Sequence, residues 1–222
     1  MKPQQTLSRL STPDGKELVL YERDGVYSIR VNGLELMSSR AHGSEEALAR
    51  LVLSEVREKR PEVLVGGLGM GYTLRAVLNF RPPVFTVTVA ELFPAVIAWN
   101  RTELAQLAHA PLEDPRVRLV EGDVSDLVAA SPHSFDAVLL DVDNGPAAFT
   151  LARNERLYGV DGIASIKRSL RPGGVLGVWS ADPDPAFARE LGRAGFLVRT
   201  ETVAARGTAK GPKHTIFVAR RS

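Results

Sequence analysis

Three carboxylates in this chain stand where apolar segments of strand length end: Glu91, Asp123 and Asp141. In a parallel sheet, ligands bind outside the carboxyl ends of the strands, so these side chains are expected to meet in one crevice. A carboxylate in that position can accept hydrogen bonds from hydroxyl and amino groups, or take a proton from an attacking amine. The chemistry indicated is the binding of a nucleoside beside an amine.

Glu91 and Asp123 are predicted to hold the nucleoside. Glu91 lies twenty residues beyond Gly71, where a carboxylate can accept hydrogen bonds from both hydroxyls of a ribose. Asp123 can accept a hydrogen bond from the exocyclic amine of adenine. The adjacent Leu92 and Val124 are expected to line the same site. The alternatives are a solvated acid at the strand end for Glu91 and a helix cap for Asp123.

Asp141 is the candidate catalytic residue, because it ends an apolar strand beside the expected nucleoside. Its carboxylate would face a cationic sulfonium and could bind an incoming amine as its ammonium or accept its proton. Asp143 and Asn144 follow it, and together with Tyr158 they are predicted to contact the acceptor. The alternative is a turn-forming cluster of Asp, Asn, Gly and Pro, which explains 144–146 but not Asp141.

A glycine turn lies between a predicted strand and a predicted helix, with Gly67, Gly69 and Gly71 in it. Glycines allow a sharp turn and let a ligand approach the backbone at a helix N-terminus. The spacing is not that of a dinucleotide fingerprint, and the Gly-Lys-Ser/Thr ending of a phosphate loop is missing. This favours a cofactor built from adenosine and a sulfonium. The alternative is an ordinary tight turn.

The chain from residue 62 onward alternates between strand and helix patterns, which requires a parallel sheet with helices on both faces. Strands are predicted at 62–66, 84–90, 116–120, 135–141, 175–180, 196–203 and 214–220. Helices are predicted at 71–80, 94–108, 124–130 and 184–194, with another ending near Leu170 before a turn at 171–174. The fold class is α/β: a mostly parallel seven-stranded sheet that ends in an antiparallel hairpin.

Residues 1–42 are expected to form a small β meander ahead of the α/β domain at 43–222. Three strands, at 17–23, 26–31 and 34–37, are separated by Asp-Gly and Asn-Gly, which are strong hairpin signals. Residues 1–16 are expected to lack regular structure, and a helix is predicted from an N-cap at Ser44 to about Lys59. So small a meander must pack on the main domain or on a partner subunit.

Composition excludes several classes of protein. The chain has 222 residues, 44% of them hydrophobic, and a net charge of +2, so a core is expected and a nucleic-acid partner is not. Without cysteine there is no disulfide, thiolate metal site or cysteine nucleophile, and the scattered histidines have no metal-ligand spacing. An apolar run of membrane-spanning length and a signal peptide are both missing, and a cytoplasmic location is expected.

Most of the chain resembles the spermidine synthase (aminopropyltransferase) family, which shares the Rossmann-like class I methyltransferase fold. The resemblance rests on 63–71, 89–92, 121–123, 135–141 and 170–174. It implies a donor that is S-adenosylmethionine or its decarboxylated form, yielding S-adenosylhomocysteine or methylthioadenosine, with no metal. It also implies ribose binding at Glu91, adenine binding at Asp123, catalysis by Asp141, a small amine as acceptor and a possible homodimer.

The chain departs from the family pattern where the donor's aminopropyl group and the polyamine bind. Met70 replaces an aspartate of the glycine turn, and 44–46 replaces Tyr-His-Glu, keeping only the glutamate. The segment 141–146 also differs from the family's sequence after the fourth strand. Three hypotheses therefore stay open: an aminopropyl or methyl transferase acting on a small amine, a methyltransferase with a non-polyamine acceptor, and a non-catalytic nucleoside-binding protein.

Overall fold

The computed structural model describes residues 3–12, 15–80, 86–142, 156–206 and 211–222. Within them it contains a four-stranded sheet and a seven-stranded sheet with helices packed against it. No helix in the described ranges is long and apolar enough to cross a bilayer.

The small sheet is an antiparallel meander of four strands in chain order: β1 (Gln5–Ser11), β2 (Glu17–Arg23), β3 (Val26–Val31) and β4 (Leu34–Ser38). Both predicted hairpin turns form, with positive φ at each residue of Asp24-Gly25 and Asn32-Gly33.

The expectation that 1–16 lacks regular structure is wrong, because β1 pairs with β2. A register shift between Thr6 and Ser8 brings Leu7 and Leu10, three residues apart, against the same core. Such a bulge breaks the two-residue alternation by which a strand is recognised.

The large sheet has the strand order β10-β11-β9-β8-β5-β6-β7, and its seven strands confirm the predicted number. Its strands are β5 (Glu62–Gly66), β6 (Thr86–Glu91), β7 (Val117–Glu121), β8 (Phe135–Leu140), β9 (Leu170–Ser180), β10 (Phe196–Ala204) and β11 (Lys213–Arg221). Neighbouring strands in the row β9-β8-β5-β6-β7 pair in parallel. β11 is antiparallel to both β9 and β10. The predicted turn at 171–174 is a bulge within β9.

Six α-helices are described: α1 (Gly43–Leu53), α2 (Tyr72–Phe80), α3 (Pro94–Arg101), α4 (Val124–Ala130), α5 (Val160–Ser169) and α6 (Pro185–Arg193). Two are shorter than predicted. α1 gives way to a turn and an exposed charged stretch, 57–60, and α3 ends before a series of turns that leads to left-handed His109 and Ala110. Ser44 lies inside the first turn of α1 and does not cap it.

Two apolar clusters cover the two faces of the large sheet. One of them contains Leu18, Leu20 and Ile29 of the small sheet together with Leu48 of α1 and Leu74 of α2. The small sheet therefore packs on the main domain through a shared core. The division of the chain between residues 42 and 43 stays a prediction.

Candidate active site

Two cavities meet where the strand order reverses, at the carboxyl ends of β5 and β8, which is where α/β sheets bind ligands. Cavity A, about 110 Å³, is lined by the ends of β5, β6, β7 and β8 and by residues of the small sheet. Cavity B, about 240 Å³, lies between β4, α1, the glycine turn and β9. Leu36, Met37, Gly69 and Asp141 line both.

The glycine turn needs glycine at all three predicted positions. Gly67, Gly69 and Gly71 have φ values of +89°, +52° and +83°. A Cβ on Gly67 would lie 2.3 Å from the carbonyl oxygen of Asp141, so the two main-chain segments touch. Gly67 and Gly69 line cavity A, whereas Gly71 packs against Asn100 and lines neither cavity.

Glu91 is held in place by the main chain. Its side chain is only 6% exposed at the wall of cavity A. The Leu68 N–H donates to Oε2 at 2.9 Å, and the Phe93 N–H donates to Oε1 at 2.8 Å. Each carboxylate oxygen can accept a second hydrogen bond. Leu92 lines the cavity beside it, as predicted.

Asp123 caps α4, the alternative that the sequence left open. Its Oδ1 accepts from the Ser125 N–H at 2.8 Å and from the Ser125 hydroxyl at 2.7 Å. Its Oδ2 is 3.5 Å from a guanidinium nitrogen of Arg156. Asp123 and Val124 also line cavity A, so the cap leaves the side chain at the predicted site.

Asp141 lies at the junction of the two cavities. The Thr73 hydroxyl donates to its Oδ2 at 2.6 Å, and Thr73 itself is 2% exposed. Burial raises the pKa of Asp141 to about 6, although the Thr73 hydrogen bond acts to lower it. Sequence reasoning treated Thr73 only as part of a helix and missed this contact.

Glu45 is a second carboxylate of the site that sequence reasoning missed. It lies in the first turn of α1 and lines cavity B together with Asp141. Burial, and next the charge of Asp141, raise the pKa of Glu45 to about 8. Asp141 and Glu45 line the same cavity, and both have raised pKa values. A bound cation would relieve the repulsion between the two carboxylates, so the cavity favours one.

The other predicted acceptor residues are Asp143, Asn144 and Tyr158. Asp143 and Asn144 lie outside the described residues. Tyr158 lines neither cavity, because its ring packs edge-on against Phe187, 5.5 Å between centroids, in the core on one face of the sheet. Trp179 lines cavity B.

Cavity B is also lined by Glu35 and Ser38 and by aromatic and apolar groups. Tyr72 stacks on His42 with 4.3 Å between ring centroids, and Trp179 meets His214 edge to face at 4.6 Å. Met70 lines the cavity but is 3% exposed. Within the described ranges, no group of three or more His, Asp or Glu side chains is placed to hold a metal ion.

The raised pKa of Glu45 predicts a pH-dependent stability. The folded chain keeps a proton on Glu45 that the unfolded chain releases near the ordinary pKa of 4.5. The stabilisation is complete below that pH and is lost as the pH rises through about 8. We expect the thermal midpoint to fall less over this range in Glu45→Gln than in the unmodified chain. Melting curves at both pH limits test this. The exposed Glu121→Gln should behave like the unmodified chain, and an equal fall in Glu45→Gln would contradict the assignment.

A family model for the spermine/spermidine synthase domain matches residues 41–185, well over half of the chain. The chain belongs to the spermine/spermidine synthase family. This confirms the resemblance drawn from the motifs at 63–71, 89–92, 121–123 and 135–141.

Curated relatives of this family are named as transferases. The polyamine aminopropyltransferase of Mycobacterium tuberculosis is 35% identical over 136 residues, which cover 60% of this chain and 25% of that protein. The Nitrosomonas europaea enzyme of the same name is 34% identical over 139 residues, which cover 60% of this chain and 40% of that protein. Spermine synthase of Arabidopsis thaliana is 29% identical over 174 residues, which cover 78% of this chain and 44% of that protein. The chain thus spans between a quarter and less than half of these relatives.

Solved structures give the same fold. Spermidine synthase from Thermotoga maritima superposes with a TM-score of 0.79 at 18% identity, over 98% of this chain and 73% of that one. A spermidine synthase in complex with the transition-state analogue AdoDATO superposes with a TM-score of 0.78 at 17% identity, over 98% of this chain and 72% of that one. The Rossmann-like class I methyltransferase fold is therefore confirmed.

Proposed function

We propose that this chain is a transferase that binds S-adenosylmethionine or its decarboxylated form and moves an aminopropyl or methyl group to a small amine. The observation that carries the proposal is the position of Asp141, which lines both cavities at their junction. A donor in cavity A and an acceptor in cavity B would therefore meet at this carboxylate.

In this proposal, cavity A binds the nucleoside of the donor. Glu91 accepts hydrogen bonds from the ribose hydroxyls, and Asp123 accepts one from the adenine amine. Leu92 and Val124 pack against the base. Gly67 and Gly69 supply a close approach to the backbone beside the N-terminus of α2.

Cavity B would bind the acceptor amine as its ammonium between Asp141 and Glu45. After the ammonium loses a proton, the nitrogen lone pair attacks the carbon next to the sulfonium. The N–C bond forms, the C–S bond breaks, and its electron pair returns to sulfur as a neutral thioether. No group is transferred to the protein, so alignment of nucleophile and leaving group supplies most of the rate enhancement.

The identity of the transferred group depends on how the donor's tail is held. Met70 removes the acidic partner that the family usually offers an aminopropyl ammonium, which favours methyl transfer. Glu45 and Asp141 at cavity B favour the aminopropyl group, since both can hold an ammonium. A homodimer stays a prediction from the resemblance, and a cytoplasmic location stays a prediction from the composition.

Calorimetry with S-adenosylmethionine, its decarboxylated form and methylthioadenosine tests the proposal, with NAD as a ligand expected not to bind. A preference for the decarboxylated donor and methylthioadenosine identifies an aminopropyltransferase. A preference for S-adenosylmethionine identifies a methyltransferase with another acceptor. If none of the three binds, the proposed donor site is wrong.

A further inference from the structure

A buried serine connects Glu45 of cavity B to His214 on β11. Ser44 is 0% exposed, and its hydroxyl lies 2.6 Å from Oε2 of Glu45 and 2.9 Å from Nδ1 of His214. Ser44 and Glu45 are in the first turn of α1, whereas His214 is on β11, 170 residues away in sequence. The contact therefore depends on how the helix packs on the sheet.

His214 connects cavity B to a third space. It lines cavity B and also cavity C, about 470 Å³, which is bordered by the small sheet and the β10–β11 hairpin. Arg30 and Arg40 are among the residues around cavity C. A proton on the imidazole thus has a way out of the acceptor cavity that does not pass the reacting groups.

The hydrogen bonds through Ser44 are directional, because a hydroxyl carries a single proton. When Glu45 is ionised, Ser44 donates to it and accepts from His214 Nδ1–H. When Glu45 is protonated, its O–H donates to Ser44, and Ser44 donates to an Nδ1 without a proton. The two arrangements place the imidazole proton on different nitrogens and differ by one proton overall.

We propose that Glu45, Ser44 and His214 form a relay that takes the proton lost by the acceptor amine from cavity B to the solvent of cavity C. The inference rests on the proposed function and refines it. Glu45 accepts the proton, and Asp141, fixed by Thr73, holds the amine in line with the donor carbon. Ser44 lines neither cavity and acts through its two neighbours, whereas His214 lies at the wall of cavity B.

The proton balance is complete. The acceptor ammonium gives one proton to Glu45. The imidazole first moves its proton from Nδ1 to Nε2 by exchange with water, so that Nδ1 can accept a proton. Glu45 then passes a proton to Ser44, Ser44 passes its own to Nδ1 of His214, and Nε2 releases one to water. One proton leaves per transfer, and the imidazole ends with its proton on Nδ1, as at the start. The amine lone pair is then free to form the N–C bond.

The charges around the relay make the step from Glu45 to His214 uphill, so release of the proton to the water of cavity C must drive it. Burial and the carboxylates of Asp141 and Glu46 raise the pKa of Glu45 to about 8, so Glu45 accepts a proton only at a pH that has ionised it. His214 has Trp179 against its ring, and burial lowers its pKa while the charge of Asp182 opposes that effect. An imidazole that does not retain a second proton releases it readily to water.

The first test uses turnover of S-adenosylmethionine or its decarboxylated form with a panel of small amines. Ser44→Ala and His214→Ala are expected to lower kcat by about 10- to 1,000-fold, within the range for lost proton transfer, with donor affinity within twofold. Added imidazole should restore turnover in His214→Ala but not in Ser44→Ala. Ser54→Ala, at the end of the same helix, and His109→Gln are exposed controls expected to keep kcat. Unchanged kcat in Ser44→Ala would overturn the relay.

A second test needs no turnover, so it separates failure of the relay from failure of the proposed function. Nitrogen-15 NMR of His214, assigned by difference from His214→Gln, should show its proton moving from Nε2 to Nδ1 as Glu45 ionises. Glu45→Gln and Ser44→Ala should abolish this change. A tautomer that stays the same across the titration, or that changes equally in the variants, would overturn the relay even if the protein were an active transferase.

Discussion

Replacing Asp141 by asparagine is expected to abolish turnover while nucleoside affinity stays within a few-fold. Asparagine has the same shape and can still accept the Thr73 hydrogen bond on its amide oxygen. It loses the negative charge that holds the acceptor ammonium at the junction of the cavities. The expected loss in kcat is about 100- to 10,000-fold, the range for a charged group that orients or deprotonates a nucleophile.

Thioether production measures the rate, and calorimetry with methylthioadenosine measures the affinity. Asp136→Asn is a matched control at the opposite end of β8, where Asp136 accepts from the Glu62 N–H and pairs with Arg171. That variant is expected to melt earlier and to keep its turnover when folded. Full activity in Asp141→Asn would refute the catalytic assignment.

The second large effect is expected from Glu91→Ala, which should weaken nucleoside binding by about 1–3 kcal/mol, the scale for losing hydrogen bonds to a charged group. The variant should also melt at a lower temperature, because the Leu68 and Phe93 N–H groups lose their acceptor. Calorimetry and thermal unfolding distinguish the two effects.

Glu121→Ala provides the control for Glu91→Ala. Glu121 ends β7 directly opposite Glu91 in the ladder, but it is exposed. Removing it is expected to leave both affinity and melting temperature unchanged. If Glu91→Ala melts earlier but binds the nucleoside as well as the unmodified chain, Glu91 is a support for the glycine turn and not a ribose ligand.

The large sheet could be predicted because its signals are local. Apolar runs such as 62–66 and 135–140, separated by helical spacing, leave few arrangements for the strands. Glu91, Asp123 and Asp141 could be found for the same reason, since the end of a parallel strand points to the ligand crevice whatever packs around it.

The acceptor side could not be predicted, because it is assembled from distant parts of the chain. The apolar spacing of α1 identifies its buried face, but not that Glu45 would line a cavity with β4 and β9. Thr73 looked like any polar residue in a helix until α2 was seen beside the end of β8. For Asp123, the helix cap and the ligand contact require the same side chain at the same strand end, and sequence does not separate them.

The contact between Gly67 and the Asp141 carbonyl has a consequence for engineering this site. The backbone of Gly67 contacts the backbone of Asp141, so the contact cannot be relieved by a change of side-chain rotamer. Reacting groups must be held to within about half an ångström of the productive geometry, and here the backbone sets that tolerance. Changes at Trp179 or Tyr72 can therefore reshape the acceptor cavity, and so alter substrate choice, without disturbing the distance between the glycine turn and the end of β8.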